Sequence, residues 1–204
     1  MEKDKYIAQL EDIRQMMDKS SRFLSLSGLS GVLAGLFAIL GALAARMVIQ
    51  NSDTIYVSFG DSDFVKLIAI AFGVMLLSII AAALLSLRKS GSRGEKLWNS
   101  VTKRVIINFS IPLLAGGLFS FSLIQNGYFE LLAPVTLMFY GLALLHCSKY
   151  TFENVRYLGI LFITLGLINT RFPGEGLTFW TIGFGGLHII YGIAMYLLIE
   201  RKQA

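Results

Sequence analysis

The chain has 204 residues, of which 55% are hydrophobic and only 15% are charged, and its mean hydropathy is +0.66. Soluble domains carry about 25% charged residues, so this composition argues against an ordinary water-soluble fold and favours a chain whose solvent is lipid. The net charge of +5 is then a membrane-topology signal rather than a nucleic-acid footprint, and we expect no nucleic-acid partner.

Residues 1–22 precede the first apolar stretch and predict a cytoplasmic amphipathic helix. An apolar face recurs at helical spacing at Tyr6, Ile7, Leu10, Ile13 and Met17, with charged residues elsewhere. This face could lie on the inner leaflet, pack under the bundle or pair with another copy; packing on protein is the simplest interpretation. The segment lacks the apolar core of a cleavable signal, so the first span is expected to direct insertion.

Six apolar stretches follow, each close to the length that crosses a bilayer. A membrane helix needs about 20 mostly apolar residues, and the stretches cover residues 23–49, 64–87, 105–123, 129–147, 155–170 and 177–199, the fifth being the shortest. We therefore predict an all-α polytopic membrane protein, with six helices in three hairpins over residues 23–200 and a tail at 201–204.

The distribution of lysine and arginine predicts the orientation of these spans. Fifteen of the eighteen fall in the N-terminal segment, the second and fourth loops and the C-terminal tail, and only Arg46, Lys66 and Arg171 lie on the opposite side. Positive loops resist translocation, so both termini are expected on the cytoplasmic side of a bacterial inner membrane.

The first span carries a row of small residues that predicts close helix packing. Ser27, Gly31 and Gly35 recur every four residues, and Ala69 and Gly73 in the second span could receive them. Small residues let helix backbones approach closely in lipid. Packing within one chain explains most such rows, and a homo-oligomer or docking onto another membrane protein is the alternative.

The loop after the second span is strongly basic. Its cations are Arg88, Lys89, Arg93, Lys96, Lys103 and Arg104. Basic residues at this position attract anionic lipid by about 1 kcal/mol each, with the Trp98 indole placed at the interface. The alternative is that these charges only set the topology.

His188 lies at the centre of the last span, where a polar side chain facing lipid would be costly. We expect it to face inward beside Thr181 and Tyr191, with Tyr140 and Asn169 as further candidates for a pocket or an interhelical polar contact. The structural interpretation is a neutral imidazole bonded to a hydroxyl or carbonyl of another span. The functional interpretation is ligand coordination or a proton relay.

Several classes of chemistry find no support in the sequence. No acidic residue falls in mid-membrane, and Pro112 and Pro134 are expected near the ends of their spans, so neither an ion relay nor a Pro-broken helix is indicated. Adjacent side chains on a helix diverge by about 100°, which suits no catalytic pair for His146 and Cys147. We expect no enzyme activity, no metal and no cofactor.

The second and third hairpins contain similar runs, FYGLA at 139–143 and IYGIA at 190–194. The last hairpin, YLGILFITLGLINTRFPGEGLTFWTIGFGGLHIIYGIAMYLLIERK, has a mid-helix glycine, a proline after a polar break, a glycine-rich second helix and a basic end. In these features it resembles one repeat of the HdeD-type acid-resistance membrane proteins, which have six spans in three hairpins. We predict a non-enzymatic accessory, stress-related or interaction protein, and the connection to stress is what the resemblance implies. The alternative is a small-solute transporter, or its substrate-binding subunit, with a pocket at His188.

Overall fold

The computed structural model describes residues 27–52, 60–92 and 98–201, and within these ranges the chain is helical, with no strand. We number the helices in chain order as α1 (Gly28–Gln50), α2 (Ser62–Ser92), α3 (Ser100–Gln125), α4 (Leu132–Cys147), α5 (Asn154–Asn169) and α6, which covers residues 176–200. Short 3-10 turns at Phe129–Leu131 and Ser148–Tyr150 flank α4. The predicted amphipathic helix at 1–22 and residues 202–204 lie outside the described ranges.

Most of the described helices have the length and apolarity that membrane crossing requires. Five stretches qualify, namely Gly28–Gln50, Ser62–Gly91, Ser100–Gln125, Phe129–Tyr150 and Gly176–Leu198. Helix α5 is apolar but has only 16 residues, about 24 Å of helix against a hydrocarbon core of about 30 Å. The predicted all-α class is confirmed, together with several helices able to span a membrane.

The turn after α3 shows how polar backbone groups are satisfied at a helix end. Gly127 takes a φ of +78°, a region that side chains disfavour, directly after the cap residue Asn126. The amide of Tyr128 then bonds the Leu123 carbonyl at 2.9 Å, and the amide of Gly127 bonds the Ile124 carbonyl at 3.1 Å. This is the Schellman pattern, and it reverses the chain within a few residues so that α3 and α4 can pack together.

Packing follows an open chain of neighbours. Helix α1 lies between α2 and α6 and packs against both, while α4 lies between α3 and α5. The two groups are joined because the first turns of α6 pack against α4. Each helix packs against the next one along the chain, except that α2 and α3 do not form a packed pair. These two helices are also the two least buried of the membrane-length helices.

Pro112 lies in the middle of α3, which corrects the expectation that it falls near the end of its span. A proline has no N–H, so the Asn108 carbonyl one turn earlier loses its helical donor. His146 of α4 replaces that donor, with its Nδ1 3.0 Å from the Asn108 carbonyl oxygen. Because a carbonyl only accepts, Nδ1 carries the ring proton of His146.

Candidate functional site

The helix that carries His188 changes its winding just before that residue. Residues Gly176–Trp180 are α-helical, Thr181–Leu187 form a π-helix, and His188–Met195 return to α-helix. A π-helix bonds i to i+5 and is wider than an α-helix; it is rare and is frequent at functional sites. Two glycines of this turn leave room for side chains of neighbouring helices, because a Cβ added at Gly183 would lie 2.5 Å from the Leu137 side chain and one added at Gly185 would lie 2.6 Å from the Ile39 side chain.

His188 is buried, at 8% exposure, and bonded to a residue of another helix. Its Nε2 lies 2.7 Å from the hydroxyl oxygen of Tyr140 on α4. This hydrogen bond removes two polar groups from lipid at once. It is the contact that the structural interpretation of His188 requires. The pair therefore fixes α6 against α4 at this depth.

Aromatic rings enclose this pair on several sides. The Tyr140 ring centroid lies 4.9 Å from those of both Phe162 and Phe184, and the Phe162 and Phe184 centroids are 5.2 Å apart. The imidazole centroid is 5.2 Å from Phe162 and 6.1 Å from the stacked ring of Phe184. Edge-to-face and stacked arrangements at these distances are favourable, so the hydrogen bond lies within a close-packed aromatic cluster.

Three of the predicted pocket residues have a buried polar atom without a hydrogen bond of ordinary geometry. They are His188 Nδ1, the Tyr191 hydroxyl and Asn169 Oδ1, all buried. Among the described residues, Nδ1 of His188 therefore has no hydrogen-bond acceptor.

The other predicted pocket residues take separate places. Tyr191 packs against the buried core that contains Phe162 and Cys147. Asn169, at 2% exposure, ends α5. Thr181 donates its hydroxyl to the Leu177 carbonyl of its own helix at 2.7 Å. The structure thus joins His188 to Tyr140 directly, whereas Thr181 satisfies itself within α6.

A neighbouring face of α6, one position round from the His188 side chain, is a glycine surface that receives α1. A Cβ added at Gly192 would lie 2.5 Å from the Gly28 carbonyl oxygen, and one added at Gly28 would lie 2.5 Å from the Gly192 carbonyl oxygen. Gly35 is likewise closed by α6, because a Cβ added there would lie 2.6 Å from the Gly185 carbonyl oxygen, and Gly31 faces Gly192. Gly31 and Gly35 of the predicted row therefore pack on α6. Ser27, the first member of that row, is buried at 9% exposure.

The expectation that the second span receives this row is wrong. Ala69 is exposed, and a Cβ added at Gly73 would meet nothing within 4 Å. Helix α2 instead uses Ile70 and Val74, whose side chains lie against Gly41. A row of small residues indicates that some helix is close, and it does not specify which one.

The described basic residues lie at helix ends. Lys89 Nζ is 5.9 Å above the Phe152 ring, and Lys103 Nζ is 5.8 Å above the ring of Trp98. Arg88 and Arg104 are exposed. Arg93 and Lys96, predicted to contact the same lipid, fall outside the described residues.

Sequence reasoning missed the role of His146 at Pro112, although a proline at i+4 from Asn108 was a usable signal for an unpaired carbonyl. It also missed Phe162 and Phe184, which look like any apolar residues of a membrane helix.

Within the described ranges, no group of three or more His, Cys, Asp or Glu residues could hold a metal ion. The chemistry that the site offers is hydrogen bonding by one imidazole and two phenols.

The chain matches no protein-family model, no curated protein and no solved structure.

Proposed function

We propose that this chain is a non-enzymatic integral protein of a bacterial inner membrane, with six spans and both termini cytoplasmic, that acts as an accessory or interaction partner of other membrane components. The observation that carries the proposal is the distribution of burial. The His188–Tyr140 bond is enclosed by aromatic rings, whereas no residue of the crossing part of α2 is buried. The interior serves cohesion, and the outer helices remain available for contact.

The proposed orientation is supported by the charges at the helix ends. On the proposed inner side the described cations are Arg88, Lys89, Lys103, Arg104, Lys149, Arg156 and Arg201. On the other side the described cations Arg46, Lys66 and Arg171 are accompanied by the acids Asp61, Asp63, Glu130 and Glu175. This asymmetry follows the positive-inside rule and is compatible with α5 as a short sixth span covered by its neighbours.

The resemblance of the last hairpin to the HdeD-type proteins supports a connection to stress as part of the same proposal. The resemblance contributes architecture and no functional residue. A role under acid stress would show as a growth or survival defect of a deletion strain at low pH, with normal growth at neutral pH.

The first experiment is gentle purification from the native membrane followed by native mass spectrometry of everything that is retained. Gly31 and Gly35 are unsuitable as test positions because they pack within the chain. Gly73→Leu is suitable, since its side chain would enter open space, and Gly117→Leu on α3 is a matched control with the same property. A protein that copurifies in stoichiometric amount, is lost from Gly73→Leu and is kept by Gly117→Leu supports docking on α2. If no protein copurifies with the parent chain, the proposal is contradicted.

A small-solute transporter, or its substrate-binding subunit, is the second candidate. It is favoured by the π-helix next to His188 and by the buried, unpartnered Tyr191 hydroxyl. Its prediction is a metabolite that copurifies with the protein and is lost from His188→Phe. Retention of the same metabolite by His188→Phe would remove the site on which this candidate depends.

A further inference from the structure

The turn between α3 and α4 holds the one Asn-Gly pair of the chain, formed by Asn126 and Gly127. Both residues are exposed, and they directly follow Gln125, the last residue of a membrane-length helix. In such a pair the glycine nitrogen can attack the carbonyl carbon of the asparagine side chain, because glycine has no Cβ that obstructs the approach. The attack needs a backbone that can rotate, so the geometry of this turn controls the reaction.

The covalent chemistry is a cyclisation followed by a hydrolysis. The Gly127 nitrogen forms a bond to Cγ of Asn126 and gives up its proton, the bond from Cγ to Nδ2 breaks, and the side-chain nitrogen leaves as ammonia. Water then opens the succinimide ring at either of its two carbonyls, which gives aspartate or isoaspartate at position 126. The reaction needs only water as a co-reactant.

Three features of the closed turn oppose the cyclisation. The amide of Gly127 donates to the Ile124 carbonyl at 3.1 Å, so the attacking nitrogen is engaged. The side-chain amide of Asn126 donates to the Ser122 carbonyl at 2.7 Å, which turns this side chain back along α3 and away from Gly127. The ψ of Asn126 is 4°, which places the Gly127 nitrogen beside the Asn126 nitrogen. A five-membered ring requires it beside the Asn126 Cβ instead.

The three features are coupled because they belong to one Schellman turn. The amide of Tyr128 closes this turn by donating to the Leu123 carbonyl at 2.9 Å. Leu123 is itself buried, at 7% exposure, so the acceptor is held by the packing of α3. Opening the turn would release the Gly127 nitrogen and the Asn126 side chain together.

We propose that Asn126 is a conditional modification site, which is protected in the folded protein and deamidates when the turn between α3 and α4 opens. Either product places a carboxylate at the C-terminal end of α3, where the helix dipole already carries partial negative charge. Isoaspartate also adds one atom to the backbone, so the two bonds of the Schellman turn cannot form again in register. The modification is therefore an irreversible record of chains in which this turn has opened. This inference does not depend on the proposed function.

The first measurement is the rate of deamidation at Asn126 in the full chain, folded in mild detergent and unfolded in urea with dodecyl sulfate, at the same pH and temperature. Peptide mass spectrometry detects the exchange of an amide for a carboxyl, and an isoaspartyl methyltransferase labels the isoaspartate. We expect the folded chain to react at least about tenfold more slowly, because its turn must open first. Equal rates in the two states would overturn the protection, and an unreactive unfolded chain would overturn the site.

Tyr128→Pro tests the turn itself without changing the reacting pair. Tyr128 has a φ of −85°, close to the value that a proline ring fixes, and it is 59% exposed. The substitution therefore removes the closing N–H and little packing, and the matched control Tyr128→Ala keeps this N–H. In the folded protein we expect Tyr128→Pro to raise the rate by up to about tenfold and Tyr128→Ala to change it by less than about twofold. The same rate in both variants would overturn the role of the turn.

Asn51 supplies an internal reference in the same samples. It ends α1 in nearly the same conformation as Asn126, with a φ of −96° and a ψ of 4°, but the residue that follows it is Ser52, whose Cβ obstructs the attacking nitrogen. Asn51 should therefore react more slowly than Asn126 in the unfolded chain, and a faster reaction at Asn51 would overturn the assignment. If circular dichroism shows that Tyr128→Pro does not fold, the folded and unfolded rates of the parent chain at these two positions decide the proposal.

Discussion

The contact between His146 and the backbone at Pro112 leads to a double-mutant prediction. In α3 the proline removes the donor for the Asn108 carbonyl, and His146 Nδ1 supplies a donor at 3.0 Å. His146→Phe keeps an aromatic ring and removes the donor. Pro112→Ala restores the N–H that bonds this carbonyl within α3, and it makes the histidine unnecessary.

The expected magnitudes follow from what each change leaves unpaired. Interhelical hydrogen bonds in membranes contribute about 0.6 kcal/mol on average and about 1.7 at most. A carbonyl left without any partner away from water costs about 1–3 kcal/mol. We therefore expect His146→Phe to lower the free energy of unfolding by about 1–2 kcal/mol in the parent chain and by less than about 0.5 with Pro112→Ala present.

The assay is reversible unfolding in mixed micelles with increasing dodecyl sulfate, followed by circular dichroism for all four members of the cycle. The coupling free energy should be about 1 kcal/mol. If His146→Phe costs the same in both backgrounds, the histidine stabilises α4 by packing alone, and the proposed replacement of the missing donor is refuted.

Three further predictions concern other contacts. Tyr140→Phe should lower the free energy of unfolding by about 1 kcal/mol, because it removes the partner of the buried imidazole. Tyr191→Phe should lower it by less than about 0.5 kcal/mol, because the Tyr191 hydroxyl has no partner. If dodecyl sulfate titrations gave the reverse order, the hydrogen-bond assignment would be contradicted. Gly28→Ala should lower the free energy of unfolding by more than about 2 kcal/mol, since the added Cβ would lie 2.5 Å from a backbone oxygen. Gly117→Ala on α3, where an added Cβ would meet nothing within 4 Å, should be neutral or stabilising. Equal unfolding midpoints for the two variants would exclude the close approach of α1 and α6. Arg171→Cys in a cysteine-free background should react with an impermeant maleimide added to intact spheroplasts, and labelling only after lysis would reverse the proposed orientation.

The sequence predicts the class of this fold well because a lipid solvent leaves few alternatives. Long apolar runs must form helices there, since their backbone groups have no other partner. The same argument indicates that His188 turns inward, because an imidazole facing lipid would be costly, and the structure buries this side chain. Tyr140, the partner of this imidazole, is one of the candidates that the sequence offers.

What the sequence did not predict depends on long-range geometry. A constant period of 3.6 residues placed Thr181 beside His188, and the π-helix at Thr181–Leu187 breaks that period. The partner of Gly31 and Gly35 was assigned to the adjacent span because small residues carry no information on which helix approaches. The His146 contact joins separate helices, and periodicity within one helix cannot reveal it.

The reciprocal contact of Gly28 with Gly192 also has a consequence for biosynthesis. Helix α1 leaves the ribosome first and α6 last, so the glycine face of α1 has no partner until more than 150 further residues have been made. At about 5–20 residues per second this interval lasts on the order of ten seconds or more. During that time the glycine face of α1 lacks its partner on α6, and the last helix to be inserted completes the packing of the first. A nascent chain that stops before α6 should thus leave Gly28 open to cross-linking by lipid-soluble probes, and this reactivity should disappear when the final helix is inserted.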